Sequence, residues 1–250
     1  MTWSSLFLTA LITLNLTQPF ALSESYNEDL YYETPVMRLN VYMMGQVEVD
    51  TRLTVLVNEN IDYLNQEFEG VIRFEFNEFF MDHSKGYLPI LYDEFNNHTE
   101  ANSINKLVRP IEVKGAINVF LFDTYTEDGT DRALMGFTPR LSAKQEVYGL
   151  NSPNFDRIFM AYAGLENKTT LVHEMGHFLG LNHPWELSGS SKLTAGIRSE
   201  LDEEHNHMSY GPNVMRFTPQ QLESMRRHAL KYRRYLMDRV IQTRLSQYRA

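Results

Sequence analysis

Apolar residues recur along this chain with two different periods, and the switches between them mark out its elements. From Val36 to Met43 they alternate with other residues, and Val and Tyr are present, which predicts a strand. From Asp50 to Phe68 the apolar set is Leu53, Leu56, Val57, Ile61, Leu64 and Phe68, spaced for a helix with one buried face. Val71 to Phe76 alternates again and predicts a second strand. Ile117 to Phe122 reads as a third, well-buried strand, and Ala133 to Phe137 and Ile158 to Tyr162 as two further short ones. Residues 77 to 105 are rich in Asn, Asp and Phe without a period and are assigned to loops, as is the stretch DTYTEDGTDR at 123 to 132. A helix is expected near Asn167. This order of elements implies a mixed α/β lobe with a helix behind the sheet.

The final segment carries the clearest local signals. Thr218 suits a helix N-cap, Pro219 the first helical position, and Gln221 completes a capping box with Thr218. Leu222, Met225, Ala229, Leu230, Tyr232 and Leu236 then form an apolar stripe. There are no internal repeats and no low-complexity linker.

Composition narrows the picture. The 250 residues are 43% hydrophobic and 22% charged, which suits one sizeable core, arranged in two lobes, and excludes a disordered chain. The formal net charge of −9 argues against a nucleic-acid or anionic-lipid partner. With no cysteine, disulfides, thiolate ligands and a cysteine nucleophile are excluded. At the start, Leu6 to Leu16 is apolar and uncharged, and Ala21-Leu22-Ser23 offers the small residues of a cleavage site, so residues 1–23 are expected to be a signal peptide of an exported, secreted or periplasmic, chain. The apolar stretch is short for a membrane span, and no stable membrane insertion is expected after cleavage. Residues 24–35 are either a short propeptide or a mobile start; in the first case an acidic side chain such as Asp29 is a candidate to occupy a metal site in a zymogen. Residues 36–250 are then the functional domain, divided into lobes at 36–180 and 181–250, with a monomer as the default state.

Residues 171 to 183 read LVHEMGHFLGLNH. His173 and His177, four apart, share one helix face and are spaced to bind one zinc ion together. Glu174 sits beside the first ligand, placed to take a proton from a zinc-bound water as general base. Gly180 suits the helix end, where a positive φ favours glycine. The chain can then turn and bring back His183 as a third ligand, and Pro184 agrees with the helix having ended. Three histidines leave one coordination position open, the catalytic rather than the structural arrangement. A bare HExxH arises by chance in about one chain in a hundred, but with the glycine and third histidine fixed the estimate drops to roughly one in tens of thousands, so two ordinary core histidines do not account for it.

HEMGHFLGLNH resembles the long zinc signature of the metzincin metallopeptidases. Residues 206 to 210, NHMSY, are similar to the methionine turn of that clan. The resemblance implies a metzincin-like α/β (α+β) fold: a mixed twisted sheet with a backing helix and the zinc helix in the N-terminal lobe, and a small irregular C-terminal lobe ending in a long helix. It implies Met208 as the turn methionine under the imidazoles and Tyr210 as a residue that approaches the metal or stabilises the tetrahedral intermediate. Within the clan, GHFLGLNH, NHMSY, FTPQQLESMRR and INVFLF look most like the pappalysin group. The stretch between His183 and the methionine turn (PWELSGSSKLTAGIRSELDEEH) is shorter than in that group and lacks cysteine, so the group's disulfides and calcium loop do not carry over. The implied activity is hydrolysis of peptide bonds in a protein or peptide substrate, bound along the edge of the strand at Ala133 to Phe137 or a neighbour. A catalytically silent zinc-containing binding protein and a narrow-specificity peptidase-like toxin are the alternatives; the presence of Glu174 favours an enzyme.

Other residues weigh less. His205 and His207 flank the methionine turn, but the set of three ligands is already complete. His83, His98 and His228 are isolated and read as surface or core residues. Glu127, Asp128 and Asp131 offer oxygens of the kind Ca2+ takes, but the full EF-hand pattern is absent and a solvated loop is the preferred reading. Arg226, Arg227, Lys231, Arg233 and Arg234 read as the solvated face of the last helix. Asn97-His98-Thr99 and Asn167-Lys168-Thr169 are glycosylation sequons.

Overall fold

The computed structural model describes residues 34–44, 51–82, 90–91, 107–122, 125–126, 135–139, 156–183, 205–209 and 216–237. The expected signal peptide, Asp29, His83, His98, the Asn97 sequon, the acidic loop at Glu127 to Asp131 and Tyr210 lie outside the described residues. The elements are β1 (Val36–Met44), α1 (Thr51–Glu67), β2 (Arg73–Asp82), β3 (Ile90–Leu91), β4 (Ile117–Phe122), β5 (Tyr125–Thr126), β6 (Gly136–Phe137), β7 (Arg157–Ala161), α2 (Tyr162–Glu166), α3 (Thr169–Phe178), α4 (Pro219–Tyr232) and a final 3-10 turn (Arg234–Leu236).

Five strands form one mixed sheet in the order β2-β1-β4-β7-β6. Four run parallel; β6, at the edge, is antiparallel to β7. Strands β3 and β5 make a separate two-stranded ladder. The helix expected behind the sheet is α1, which crosses over from β1 to β2. Alternation sorts the strand side chains onto two buried faces. Leu39, Val41 and Met43, with Val119, Leu121, Ile158 and Met160, pack against Leu53, Val57, Ile61 and Leu64 of α1 and Val172, Met175 and Phe178 of α3. Tyr42, Met44, Phe120, Phe122 and Phe159 fill the opposite face, where Tyr42 stacks on Phe80 and Phe120. Burial on both faces explains why Val119 to Phe122 is a continuous apolar run rather than an alternating one, while the buried Asn118 side chain before it is hydrogen-bonded to Tyr42, Val113 and Ala116.

Four expectations need correction. The second strand continues past Phe76 to Asp82. The pairing of β1 with β2 slips between Leu39 and Asn40, leaving Asn77 unmatched, and the Asn77 side chain donates to Asn40 Oδ1 at 2.8 Å. This bulge inverts the alternation: Phe74 and Phe76 face the helices before it, and Phe79 does so after it. A strict period of two therefore stops at Phe76 while the strand does not. The segment 123 to 132 contains strand β5, paired with β3 in a stretch expected to be loop. The basic residues of the last helix do not form one solvated face. Arg226 and Arg233 are buried; Arg226 Nη1 donates to the carbonyls of Gly70 and Val71, and Arg233 Nη1 donates to Asp156 Oδ1 at 2.9 Å while its guanidinium lies 4.2 Å from the centre of the Phe178 ring. The long apolar stems of arginine let these positions follow the buried stripe while the heads find acceptors. The helix itself stops at Tyr232, and Leu236 of the expected stripe belongs to the 3-10 turn.

Candidate metal centre

Helix α3 carries the first two histidines of the motif and lies against the helix-side face of the sheet. Its end has the hydrogen bonds of a Schellman motif: Gly180 N–H donates to His177 O at 3.0 Å and Leu181 N–H to Gly176 O at 2.9 Å. Gly180 takes φ +92°, and an added Cβ there would lie 2.4 Å from Nδ1 of His228. This turn reverses the chain within three residues and returns His183 to the two imidazoles on the helix.

The ligand atoms of His173, His177 and His183 all lie within 4.8 Å of one another, and among the described residues these are the side chains grouped to hold a metal ion. His183 Nε2 is 3.2 Å from His173 Nε2 and 3.0 Å from His177 Nε2. The other ring nitrogens are fixed: His173 Nδ1 is 2.6 Å from the carbonyl of His207, and His177 Nδ1 is 2.8 Å from the carbonyl of Leu181. A carbonyl only accepts, so both Nδ1 atoms carry the proton, and both Nε2 lone pairs point at His183. His183 Nε2 bears one hydrogen at most and cannot satisfy two opposing lone pairs at full strength. A cation between them resolves all three. Zinc–imidazole bonds of about 2.0–2.1 Å in a tetrahedron set nitrogens roughly 3.3 Å apart, close to the separations found, so the donor set fits Zn2+.

Glu174 is buried and touches the edge of the sheet. The Thr138 hydroxyl lies 2.7 Å from Glu174 Oε2 and 3.0 Å from its backbone carbonyl. A Cβ on Gly136 would come within 2.8 Å of Glu174 Cγ and Oε1. Strand alternation puts Gly136 and Thr138 on one face and Phe137 on the other, against Phe159. The sequence reading ended the strand at Phe137 and missed Thr138; the period-two step from Gly136 is the signal that finds it.

The methionine turn closes on the same helix. Ser209 N–H donates to Asn206 O at 2.9 Å, and Met208 N–H to Asn206 Oδ1 at 3.0 Å. Met208 is fully buried, and a Cβ on Gly176 would fall 2.4 Å from its sulfur. The Asn206 and Gln221 amides exchange two hydrogen bonds, of 2.7 and 3.0 Å, which tie the turn to the capping box of α4. His207 stands outside the ligand group: its Nε2 lies 2.9 Å from Glu67 Oε2, and burial lowers its pKa against the pull of Glu67. His205 contributes its carbonyl to Arg216 N–H. His228 is half-buried against Gly180; desolvation, then Arg233 and Lys231, lower its pKa to about 3, so it is neutral. The exposed Asn167 uses its side-chain oxygen to accept from Thr169 N–H and Oγ1–H just before α3.

No protein-family model matches the chain, and no curated protein sequence matches it. Among solved structures it is similar to metalloproteinase-II from Bacteroides fragilis, at 16% identity and a TM-score of 0.46, over 78% of this chain and 53% of that one. The match thus spans about half the length of the Bacteroides protein. It is also similar to an archaemetzincin from Methanopyrus kandleri, at 13% identity and a TM-score of 0.45, over 78% of this chain and 96% of that one.

Proposed function

We propose that this chain is a secreted zinc-dependent endopeptidase of metzincin type, similar to the pappalysin group. The observation that carries the reading is the convergence of three Nε2 atoms, two of them with fixed tautomers, on one point beside a buried glutamate. His173, His177 and His183 hold the metal through Nε2. Zinc bound there supplies Lewis acidity, which brings the pKa of a water towards neutrality and polarises a carbonyl. Glu174 takes the proton of the attacking water on its carboxylate and passes it to the leaving amine. The Thr138 hydroxyl holds that carboxylate in one rotamer, so little reorientation is needed when the proton moves. Tyr210, two residues after Met208, donates to the developing oxyanion. A peptide substrate lies along β6, whose outer edge faces away from β7 and whose Gly136 lies against Glu174, so main-chain pairing sets the scissile bond beside the base.

The test compares the full chain with Glu174→Gln on an unfolded protein substrate. The reading expects zinc in both proteins, cleavage by the wild type that a chelator abolishes, and a rate reduced by about 10²–10⁴ in the variant. A folded, zinc-loaded wild type that cleaves nothing, with or without removal of residues 24–35, sinks the peptidase reading and leaves a binding role.

A further inference from the structure

The first metal ligand is steadied by a residue far from the motif. His173 Nδ1–H donates to the main-chain carbonyl of His207 at 2.6 Å, so whatever holds that peptide group holds the His173 ring. The His207 side chain is fully buried and donates from Nε2 to Oε2 of Glu67, the last residue of α1 and 140 positions away in sequence. The imidazole is confined on two further sides, by the edge of Tyr63 at 6.3 Å between centroids and by Phe217 at 4.8 Å. Its main-chain N–H donates to Arg216 O at 3.1 Å. Among the described residues its Nδ1 meets no hydrogen-bonding partner. A buried, half-satisfied imidazole costs more than an apolar side chain of the same shape, so the position does not serve packing alone.

We infer that Glu67 and His207 are positioning residues for the metal: their hydrogen bond ties the methionine-turn peptide to α1 and so presents the His207 carbonyl to His173. The link runs from carboxylate to imidazole to peptide carbonyl to ligand imidazole, one step longer than a carboxylate bonded directly to a ligand histidine. Outer partners of this kind fix ring orientation and tautomer, and their loss typically weakens metal binding 10–100-fold. Neither residue touches substrate or metal. The inference needs only a metal at the three histidines, not peptide hydrolysis.

The experiment measures zinc affinity of the full chain by competition with a chromophoric chelator, alongside thermal unfolding of the metal-free protein. Glu67→Ala removes the acceptor, Glu67→Gln keeps one, and His207→Phe keeps a ring between Tyr63 and Phe217 but no donor. The expected result is a 10–100-fold weaker affinity for Glu67→Ala and His207→Phe, and rescue to within about threefold of wild type by Glu67→Gln. If Glu67→Ala does not fold, the His207→Phe and Glu67→Gln pair gives the same contrast. Wild-type affinity in folded, metal-free-stable His207→Phe overturns the inference while leaving the proposed function standing. A folded wild type that binds no zinc overturns both.

Discussion

Helices α3 and α4 pack into the same core but are stabilised in opposite ways. Helix α4 is written in its own sequence: Gln221 N–H donates to Thr218 Oγ1 at 3.2 Å, Thr218 N–H donates to Gln221 Oε1 at 2.9 Å, and Pro219 opens the helix. Only four of its fourteen residues are buried. Helix α3 has no side-chain cap on its N-cap residue, and eight of its ten residues are buried. It contains a glycine at 176 and two histidines, none of them strong helix formers. Its stability comes from packing on β7, α1 and the methionine turn, not from local preference. A helix that carries metal ligands must present polar atoms inward, and only a surrounding structure built to receive them holds it in place.

The contrast is broken most severely at the end of α3. Gly180→Ala puts a side chain at φ +92° and drives its Cβ against the half-buried His228 ring, so a loss of about 2–4 kcal/mol is expected in denaturant unfolding of the metal-free protein. Where the ends of α3 and α4 meet, pH supplies a second probe. Asp156, bonded to Arg233 and to the Tyr235 hydroxyl, has its pKa raised from 3.8 to about 6; burial is the main cause, opposed by Arg233 and Tyr235, with Glu112 adding to the rise and Arg157 opposing it. The folded state therefore binds this proton more tightly than the unfolded one. Its contribution is full below about pH 4 and is lost as pH rises through about 6, on the order of 2–3 kcal/mol. Unfolding measured from pH 4 to 7 should show the stability of wild type relative to Asp156→Asn falling with rising pH; a constant difference contradicts the assignment.

Gly176→Ala sharpens the comparison most cleanly. In an exposed helix interior alanine gains about 1 kcal/mol over glycine. In α3 the new methyl meets the Met208 sulfur, so a net loss of about 1–3 kcal/mol and weaker zinc binding are expected. A stabilised variant would show that α3 behaves like α4. The mildest effect belongs to α4 itself: Thr218→Ala should cost about 1 kcal/mol and leave zinc affinity unchanged.

The same division decides how much of the molecule was legible in its sequence. The α4 cap, the Ile117–Phe122 strand and the turn at Gly180 rest on neighbours along the chain, and the pattern located each of them. The three ligands were legible because their spacing is itself local: one helical turn, then one tight reversal. What lay beyond reach was set across the fold. The bulge at Asn77 shifts the alternation of β2 only because Asn40 sits opposite. Arg233 reads as surface until Asp156 and the Phe178 ring surround it. Thr138 and Glu67 carry no motif, since they meet Glu174 and His207 only once β6 and α1 are packed.

The most direct test of the metal centre is zinc K-edge X-ray absorption on the full chain. The account predicts one zinc per chain with three imidazole nitrogens at about 2.0–2.1 Å and one water oxygen completing the shell, and a loss of one imidazole in His183→Ala. A folded protein that takes up no zinc, or whose zinc shows an all-oxygen shell unchanged by His183→Ala, would contradict it.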